Sequence, residues 1–334
     1  MSRSNPYYNG PQSDHFDGLR FFNPDAPDTD RGLGDVLRWQ RASLGKAKSV
    51  WPAQVPVTQV VPEASVTGLR ATLVGHATVL VQMQGLNLLT DPVWAERASP
   101  LSFAGPKRVN APGIDLAQLP PIHAVLLSHN HYDHLDLHAL KHLHAVHAMP
   151  IFTPLGNDAL LRKHIPGVDV RAGDWGDRFE CGGAEITVVP AQHWSSRGVR
   201  DRRMALWGGF MVRNGAGLVY FAGDTGYGDG RIFKALRRDH GQPDLALIPI
   251  GAYEPRWFMA AQHVNPAEAV SIMLDLGARQ ALGIHWGTFK LTDEGWEAPR
   301  LALTAALAAH GLPRDRFVAG LPGDRLDVPR AAGA

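Results

Sequence analysis

The segment from His129 to His134 reads His-Asn-His-Tyr-Asp-His, so it places three imidazoles and one carboxylate within six residues. It follows the apolar run Ala124–Leu127, which the pattern predicts as a buried strand. The donors therefore lie on a loop that leaves the carboxyl end of a strand, where sites of α/β proteins usually form. Imidazole nitrogen and carboxylate oxygen are the donors that a borderline divalent ion prefers. The spacing predicts a metal site on this loop.

The donors of this loop divide between two ions. His129 and His131 are two residues apart on an extended stretch, so they share a side and can hold one ion. Asp133 and His134 begin the next turn, and we expect them to reach a second ion. Each ion then needs further ligands from elsewhere in the chain.

Three other predicted strands end in a residue that can bind a metal. Their apolar runs finish at His193, at Asp224 and at His285. Each of these residues alone could equally be a hydrogen-bonded polar group of the core. The repetition of the pattern at four strand ends favours a shared metal centre.

With these residues the chain resembles the metallo-β-lactamase superfamily. Longer segments resemble one of its branches, the N-acyl-phosphatidylethanolamine-hydrolysing phospholipase D family, from about residue 70 to about residue 300. The segments that carry this resemblance are Leu73–Val81, Leu89–Trp94, Arg97–Pro100, Gly105–Arg108, Gly223–Tyr227, Ile248–Met259, Gln262–Val264 and Ile284–Phe289. The first 65 residues match the family little.

The resemblance implies two divalent metal ions that share one carboxylate. It assigns the first ion to His129, His131, His193 and Asp224, and the second ion to Asp133, His134, Asp224 and His285. A bridging role suits Asp224, because a carboxylate has two oxygens whereas an imidazole normally binds one ion. Zinc is the expected metal, and manganese and iron stay open as alternatives for this donor set.

The predicted fold is α/β, an αββα sandwich of two mixed β-sheets flanked by helices, since strands and then helices recur in two halves. Residues 66–334 are expected to form the metallo-β-lactamase-like hydrolase domain. Residues 1–65 are expected to form an N-terminal arm whose aromatic residues pin it to the body, with lipid contact as the alternative. Helices are predicted at 35–43, from 136 to 147, and near 156–164, 229–238, 266–276 and 299–310.

Composition limits the partners of the chain. It has 334 residues, with 33 Lys and Arg against 32 Asp and Glu, so no strong field attracts nucleic acid or an anionic membrane. No stretch approaches a transmembrane span, and the polar start lacks the apolar core of a signal peptide. We expect a cytoplasmic protein, with peripheral membrane contact and a homodimer left open. The single cysteine, Cys181, excludes an internal disulfide and is interpreted as structural.

Two adjacent divalent ions suit hydrolysis, because they lower the pKa of a shared water. The donor set alone cannot choose among a phosphodiester, an ester, a lactone and a lactam. The resemblance favours phospholipase D-type cleavage of an N-acylated phosphatidylethanolamine by a metal-bridging hydroxide. The alternatives are a metallohydrolase for a soluble ester, lactone or sugar-phosphate, and a metal-stabilised binding protein without activity.

Several residues near these segments are candidates for roles beyond metal binding. Asp224 and Asp133 are expected to act in catalysis, and His263 is expected to contact the substrate phosphate or to protonate the leaving alkoxide. Asp91 can accept a hydrogen bond from a ligand imidazole, or it can simply start an Asp-Pro turn. Asn265 is expected to cap the helix that follows His263.

The remaining candidates concern the substrate, and each has a structural alternative. The expected substrate contacts are Gln262, Tyr132, Arg256 and Trp257, of which Arg256 could instead form an ion pair. An apolar groove could draw on Trp194, Phe258 and Met259, whereas Trp207 is expected in the core. The basic segment Arg197–Met204 could attract a phosphate or form a solvated loop. The four histidines between 138 and 147 lack the strand-end position and are expected at the surface.

Overall fold

Two seven-stranded sheets form the centre of this computed structural model, which describes residues 4–24, 31–43 and 49–329. The parts of the predicted arm and domain at 1–3, 25–30, 44–48 and 330–334 lie outside the described residues. The strands are β1 Leu69–Gly75, β2 Thr78–Met83, β3 Leu86–Thr90, β4 Ala124–Leu126, β5 Ile151–Pro154, β6 Val170–Gly173, β7 Arg178–Cys181, β8 Ala184–Val189, β9 Gly209–Asn214, β10 Gly217–Phe221, β11 Leu245–Pro249, β12 Gln280–Ile284, β13 Phe317–Val318 and β14 Arg325–Val328.

Both sheets are mixed. The first has the order β14-β1-β2-β3-β4-β5-β6, antiparallel from β14 to β3 and parallel from β3 to β6. The second has the order β13-β12-β11-β10-β9-β8-β7, parallel from β13 to β10 and antiparallel from β10 to β7. Each sheet thus contributes parallel strands whose carboxyl ends lie at one edge, where the predicted donors follow.

The helices of the described residues are α1 Leu33–Ser43, α2 Leu137–His147, α3 Asn157–His164, α4 Arg231–His240, α5 Arg256–Met259, α6 Pro266–Leu276 and α7 Ala298–Ala309. Of these, α2 and α3 cover the outer face of the first sheet, and α4, α6 and α7 cover the outer face of the second. The six predicted helices are confirmed, with small shifts at their ends. α6 begins where the sequence indicated, because Asn265 and Glu268 form a reciprocal capping box and Pro266 occupies the first turn.

Strand β4 illustrates why the layers form. Its side chains alternate between faces, so Ala124 and Leu126 enter the core between the sheets while Val125 and Leu127 pack under α2 and α3. Both faces are buried, which explains an uninterrupted apolar run instead of an alternating one. A third cluster joins the outer face of the second sheet to α4, α6 and α7. The order of layers is α, β, β, α, as predicted.

Aromatic residues of the N-terminal segment pack on the second half of the chain. Phe16 and Phe21 are 1% exposed and share a cluster with Trp207, which is itself buried as expected of a core residue. Asn5 donates hydrogen bonds to the carbonyls of Leu19 and Met204 at 2.9 and 2.8 Å. Among the described residues, no helix combines the length and the apolar character that crossing a bilayer requires.

Candidate metal centre

The four predicted strand ends meet at one edge of the sandwich. The loop after β4 carries His129 to His134, and the segments after β8, β10 and β12 carry His193, Asp224 and His285. The predicted metal ligands other than His131 and Asp133 are at most 3% exposed. Their donor atoms converge in two sets.

The first set consists of His129, His131, His193 and Asp224. The Nδ1 atom of His131 lies 2.9 Å from Nε2 of His129 and 3.3 Å from Nε2 of His193. The Oδ2 atom of Asp224 lies 3.7 Å from Nε2 of His193 and 3.9 Å from Nε2 of His129. Four donors about 2.0–2.2 Å from a tetrahedral ion are about 3.3–3.6 Å apart, so these spacings fit one ion.

The second set consists of Asp133, His134, His285 and the same oxygen of Asp224. That Oδ2 atom lies 3.1 Å from Nε2 of His134 and 3.1 Å from Nε2 of His285. The Oδ2 atom of Asp133 lies 3.2 Å from Nε2 of His285 and 3.7 Å from Nε2 of His134. These spacings also suit a tetrahedral ion. Asp224 is therefore the one residue common to both sets.

Hydrogen bonds from the outer ring nitrogens of three predicted histidine ligands determine which nitrogen of each ring faces the centre. The carboxylate of Asp91 accepts from Nδ1 of His134 at 2.5 Å and from Oγ of Ser128 at 2.6 Å. Because that hydroxyl donates to Asp91, its oxygen is free to accept from Nδ1 of His129, 2.9 Å away. Similarly, Nδ1 of His193 donates to the carbonyl of Gln262 at 3.0 Å. In all three rings Nδ1 carries the proton, so the lone pair of Nε2 is available to bind a metal ion.

Of the two interpretations of Asp91, this network matches the one in which its carboxylate accepts a hydrogen bond from an imidazole of the motif. Ser128, which links Asp91 to His129, was not predicted. A serine at a strand end carries no distinguishing signal by itself, and its role emerges only once Asp91 lies beside it.

Electrostatics keep the two carboxylates of the centre ionised. Burial by itself raises the pKa of Asp224, but the imidazoles of His134 and His285 outweigh it and hold that pKa well below its usual range. Burial likewise opposes ionisation of Asp133, yet its pKa is held low by His134 and His285. Burial lowers the pKa of His285, but Asp224 and Asp133 raise it to about 9. The ionised carboxylates are the form that binds a cation, and the imidazoles release protons when one binds.

Unsatisfied atoms at the centre fit a metal. Within the described part of the chain, both buried carboxylate oxygens of Asp224 accept no hydrogen bond, and Nε2 of His134 makes none. A buried carboxylate whose oxygens accept no hydrogen bond depends on neighbouring positive charge, here the imidazoles of His134 and His285, because an uncompensated one is unfavourable by several kcal/mol or more. A divalent cation in each donor set would take over this charge compensation when the imidazoles release their protons. The residues therefore fit the metal ions that the sequence predicted.

His76, which was not among the predicted site residues, also lies at the centre. It occupies the turn between β1 and β2, is 2% exposed, and has Nε2 at 3.1 Å from Oδ2 of Asp133. Its donor atom falls within 4.8 Å of those of Asp133, His134 and His285. The available signal was its place after Gly75 at the end of an apolar strand, the same pattern that marked His193 and His285.

His263 lies next to both donor sets. Its Nδ1 atom is 3.9 Å from Oδ2 of Asp224, and its ring centroid is 5.0 Å from that of His193 and 5.4 Å from that of His285. The side chain is buried, and burial lowers its pKa to about 3. The neighbouring Gln262 is buried too, with its carbonyl on His193. This position suits contact with a bound substrate as well as a further metal ligand.

The other expected substrate contacts lie farther out. The guanidinium of Arg256 donates to Glu268 at 2.7 and 2.9 Å and to the carbonyl of His263 at 2.8 Å, contacts that match the ion-pair alternative. The hydroxyl of Tyr132 donates to the carbonyl of Arg197 at 3.0 Å, and both residues line a cavity of about 380 Å³. Trp257 is 38% exposed.

The residues expected outside the site are found outside it. His138 and His142 on α2 are exposed, and His144 and His147 are half-buried; none of the four joins a group of potential metal ligands among the described residues. Cys181 is half-buried, and its thiol contacts the carbonyl of His123 at 3.7 Å.

The basic segment Arg197–Met204 packs against the metal loop. The guanidinium of Arg197 donates to the carbonyls of Asn130 and Leu135 at 3.2 and 2.8 Å. Arg202 lies over the ring of Trp194 at 3.6 Å. Arg197 and Arg202 are thus engaged with the protein surface beside the centre.

Comparisons with known proteins identify the family of the chain. The β-lactamase superfamily domain matches residues 86–286. N-acyl-phosphatidylethanolamine-hydrolyzing phospholipase D 1 of Caenorhabditis elegans is 43% identical over 270 residues, which are 77% of this chain and 76% of that protein. A metal-dependent hydrolase of Pyrobaculum neutrophilum is 30% identical over 219 residues, which are 65% of this chain and 84% of that protein.

A solved structure shows the same fold. The metallo hydrolase Igni18 of Ignicoccus hospitalis superposes with a TM-score of 0.59 over 79% of this chain and 99% of that chain, at 18% identity. At this identity the similarity concerns the fold alone. Together with the relatives above, it leads to one assignment: the chain belongs to the β-lactamase superfamily, in the branch of the N-acyl-phosphatidylethanolamine-hydrolysing phospholipases D, and is a hydrolase of the metal-dependent class.

Proposed function

We propose that this chain is a dinuclear metal-dependent phosphodiesterase that cleaves an N-acylated phosphatidylethanolamine into a phosphatidate and an N-acylethanolamine. The observation that carries the proposal is the sharing of Asp224 by two donor sets. One oxygen of Asp224 lies 3.1–3.9 Å from four imidazole nitrogens, two in each set. That arrangement suits a carboxylate that holds two ions at once.

The proposal names the residues that would hold the ions. His129, His131, His193 and Asp224 would hold the first, and Asp133, His134, Asp224 and His285 would hold the second. Zinc is the preferred metal, with manganese and iron as alternatives that the nitrogen and oxygen donors also permit. When bound, such a pair of ions lowers the pKa of a shared water and stabilises the attacking and leaving oxygens of a phosphodiester.

Residues of the chain itself prepare the site for this chemistry. Asp91 and Ser128 hold the rings of His134 and His129 with Nε2 toward the centre. Asp133 and Asp224 contribute the negative charge that binds the ions and orients the attacking water. We assign to His263 the contact with the substrate phosphate, for which a neutral imidazole suffices, because it lies beside Asp224 without belonging to either tetrahedral set. Protonation of the leaving alkoxide is the alternative, and it requires that the negative charge of the bound substrate raises the pKa of His263.

The lipid substrate is inferred from the family and from apolar residues near the site. The relative from Caenorhabditis elegans is named for hydrolysis of N-acyl-phosphatidylethanolamine. Trp257 lies on α5, which leads directly to Gln262 and His263, and its ring contacts the guanidinium of Arg38 at 4.6 Å. The ring of Trp39 contacts Phe258 at 5.0 Å. Helix α1 therefore covers α5 next to the site.

These contacts support separate roles for the N-terminal residues and for the rest of the chain. We propose that residues 66–334 form the hydrolase domain and that residues 1–65 form an arm that shapes the entrance for the acyl chains. Contact with a membrane would be peripheral, and its apolar part would lie near Trp257. The proposed substrate contacts also include Tyr132, Gln262 and Arg256. Arg256 acts by donating a hydrogen bond to the carbonyl of His263.

A substrate panel tests the proposed function. Zinc-loaded protein is incubated with micellar N-acyl-phosphatidylethanolamine and, separately, with soluble esters, sugar-phosphates and small lactones. We expect release of N-acylethanolamine and phosphatidate, abolished by a chelator and restored by zinc. The matched control is Asp229→Asn, which alters an exposed carboxylate five positions after Asp224 in the sequence and should retain full activity. Hydrolysis of a soluble substrate without cleavage of the phospholipid would contradict the proposal and favour the soluble-substrate alternative.

A further inference from the structure

His76 is a buried histidine of the centre that belongs to neither donor set. It sits in the turn between β1 and β2 with a φ of 53°, a left-handed conformation that is uncommon for a residue with a side chain. Such a conformation persists where the surrounding structure requires it, and it often marks a functional position. The contacts of His76 indicate what that requirement is.

The side chain of His76 contacts the carboxylate of Asp133. Its Nε2 atom lies 3.1 Å from Oδ2 of Asp133, and the other ring nitrogen is buried with no hydrogen-bond partner among the residues that the structure describes. An ionised carboxylate can only accept, so the imidazole donates this hydrogen bond through Nε2. The same oxygen of Asp133 lies 3.2 Å from Nε2 of His285, within the second donor set.

The backbone of His76 is tied to the segment that carries His285. The amide of His76 donates to Oγ1 of Thr288 at 3.1 Å, and the amide of His285 donates to the carbonyl of His76 at 2.9 Å. The two imidazole rings lie 4.1 Å apart. These contacts fix the position of the His76 ring relative to His285 before any ion binds.

Asp133 is the ligand of the second set that most needs such support. Its side chain is 14% exposed, whereas the side chains of His134, His285 and Asp224 are at most 1% exposed. A carboxylate at the open side of a site can rotate away, and fixing it in advance reduces the ordering that ion binding requires.

We propose that His76 is a positioning residue that holds Asp133 in the second donor set and thereby sets the affinity for the second ion. The inference rests on the proposed two-ion function. His76 acts through Asp133 and is not itself a ligand, because its N–H points at the carboxylate and four other donors already have tetrahedral spacing. Outer hydrogen bonds of this kind are typically worth about 10–100-fold in metal affinity.

Two substitutions at His76 form a matched pair. His76→Gln places an amide N–H near the position of Nε2 and can still donate to Asp133. His76→Asn tolerates the positive φ well but is too short to reach the carboxylate. Zinc binding to each apo protein is measured by competition with a chromophoric chelator, which gives separate affinities for the two ions. Thermal unfolding of the apo proteins checks that both variants fold.

We expect His76→Asn to lower the affinity for the second zinc ion by about 10–100-fold and to leave the affinity for the first unchanged. The second-ion affinity of His76→Gln should stay within about threefold of the parent. Equal second-ion affinity in His76→Asn and the parent would overturn the positioning role while leaving the two-ion function intact. Equal weakening in both variants would also overturn it, since a direct ligand or a packing role predicts that result. A parent that binds one ion would instead contradict the proposed function.

A measurement on the parent protein keeps the inference testable if His76→Asn fails to fold. Nitrogen-15 NMR of the zinc-loaded parent, with His76 assigned by comparison with His76→Gln, reports which ring nitrogen carries the proton. A proton on Nε2 supports donation to Asp133. A metal-bound Nε2 without a proton would overturn it.

Discussion

Replacing Asp224 with Asn removes the charge that the two donor sets share while preserving the size of the side chain. In the parent, one oxygen of Asp224 lies 3.1 Å from Nε2 of both His134 and His285 in the second set. The same oxygen lies 3.7 and 3.9 Å from the corresponding atoms of His193 and His129 in the first set. An amide in this position is neutral and cannot compensate two cations.

The expected magnitude follows from the number of ions affected. If each of the two ions stabilises the transition state by about 2 kcal/mol less, the activation barrier rises by about 4 kcal/mol. Because about 1.4 kcal/mol corresponds to a factor of ten, hydrolysis should slow on the order of 10³-fold or more. The fold should survive, since the substitution retains the volume of a residue that is otherwise surrounded by polar side chains.

The assay compares Asp224→Asn with the parent and with Asp229→Asn at saturating zinc. Asp229 is a suitable control because its carboxylate is 55% exposed and pairs with Arg231 at the surface. Initial rates of N-acylethanolamine release are measured together with metal content and thermal unfolding. Activity of Asp224→Asn within tenfold of the parent, in folded protein, would refute the bridging role of Asp224.

Three further predictions concern other buried groups. His263→Ala should lower turnover by about 10²–10⁴-fold with metal content unchanged, and a substrate with a better leaving group should partly restore the rate if His263 is a general acid; loss of metal would make it a ligand. Asp91→Asn should weaken metal binding about 10–100-fold, as measured by chelator competition, and an unchanged affinity would argue against its orienting role. A hydrogen bond to Asp174 raises the pKa of His15, so the stabilisation by this pair is present in full below the unfolded pKa of about 6.5 and is lost as pH rises through the folded pKa. His15→Asn should therefore lower the free energy of unfolding by about 1 kcal/mol near pH 6 and by less near pH 9, as denaturant titrations at the two pH values would show; the value is modest because Asp174 is 35% exposed.

Much of this arrangement was predictable because its signals are local. The strand β4 and the donors after it are contiguous in sequence, and the start of α6 is fixed by Asn265 and its capping box. Metal-binding residues that follow a strand, such as His193 and Asp224, could be assigned to one site, because the carboxyl ends of parallel strands meet at one edge of a sheet.

The features that escaped prediction depend on contacts between distant residues. The partner of His76, Asp133, is 57 residues away, and no local pattern connects the two. For Arg256 the sequence left two roles open, binding a substrate phosphate and forming an ion pair. Its contacts depend on how α5 packs beside Glu268, which no local pattern reveals. Ser128 lies next to His129, but its function depends on Asp91, 37 residues earlier.

The central claim is that one carboxylate organises two metal ions, and the metal content of the parent protein tests it most directly. Protein purified without chelator and equilibrated with zinc is freed of loosely bound metal and examined by elemental analysis, with Asp224→Asn treated in parallel. The account predicts close to two equivalents per chain in the parent and a lower content in the variant. A parent value near one equivalent that added zinc does not increase would contradict it.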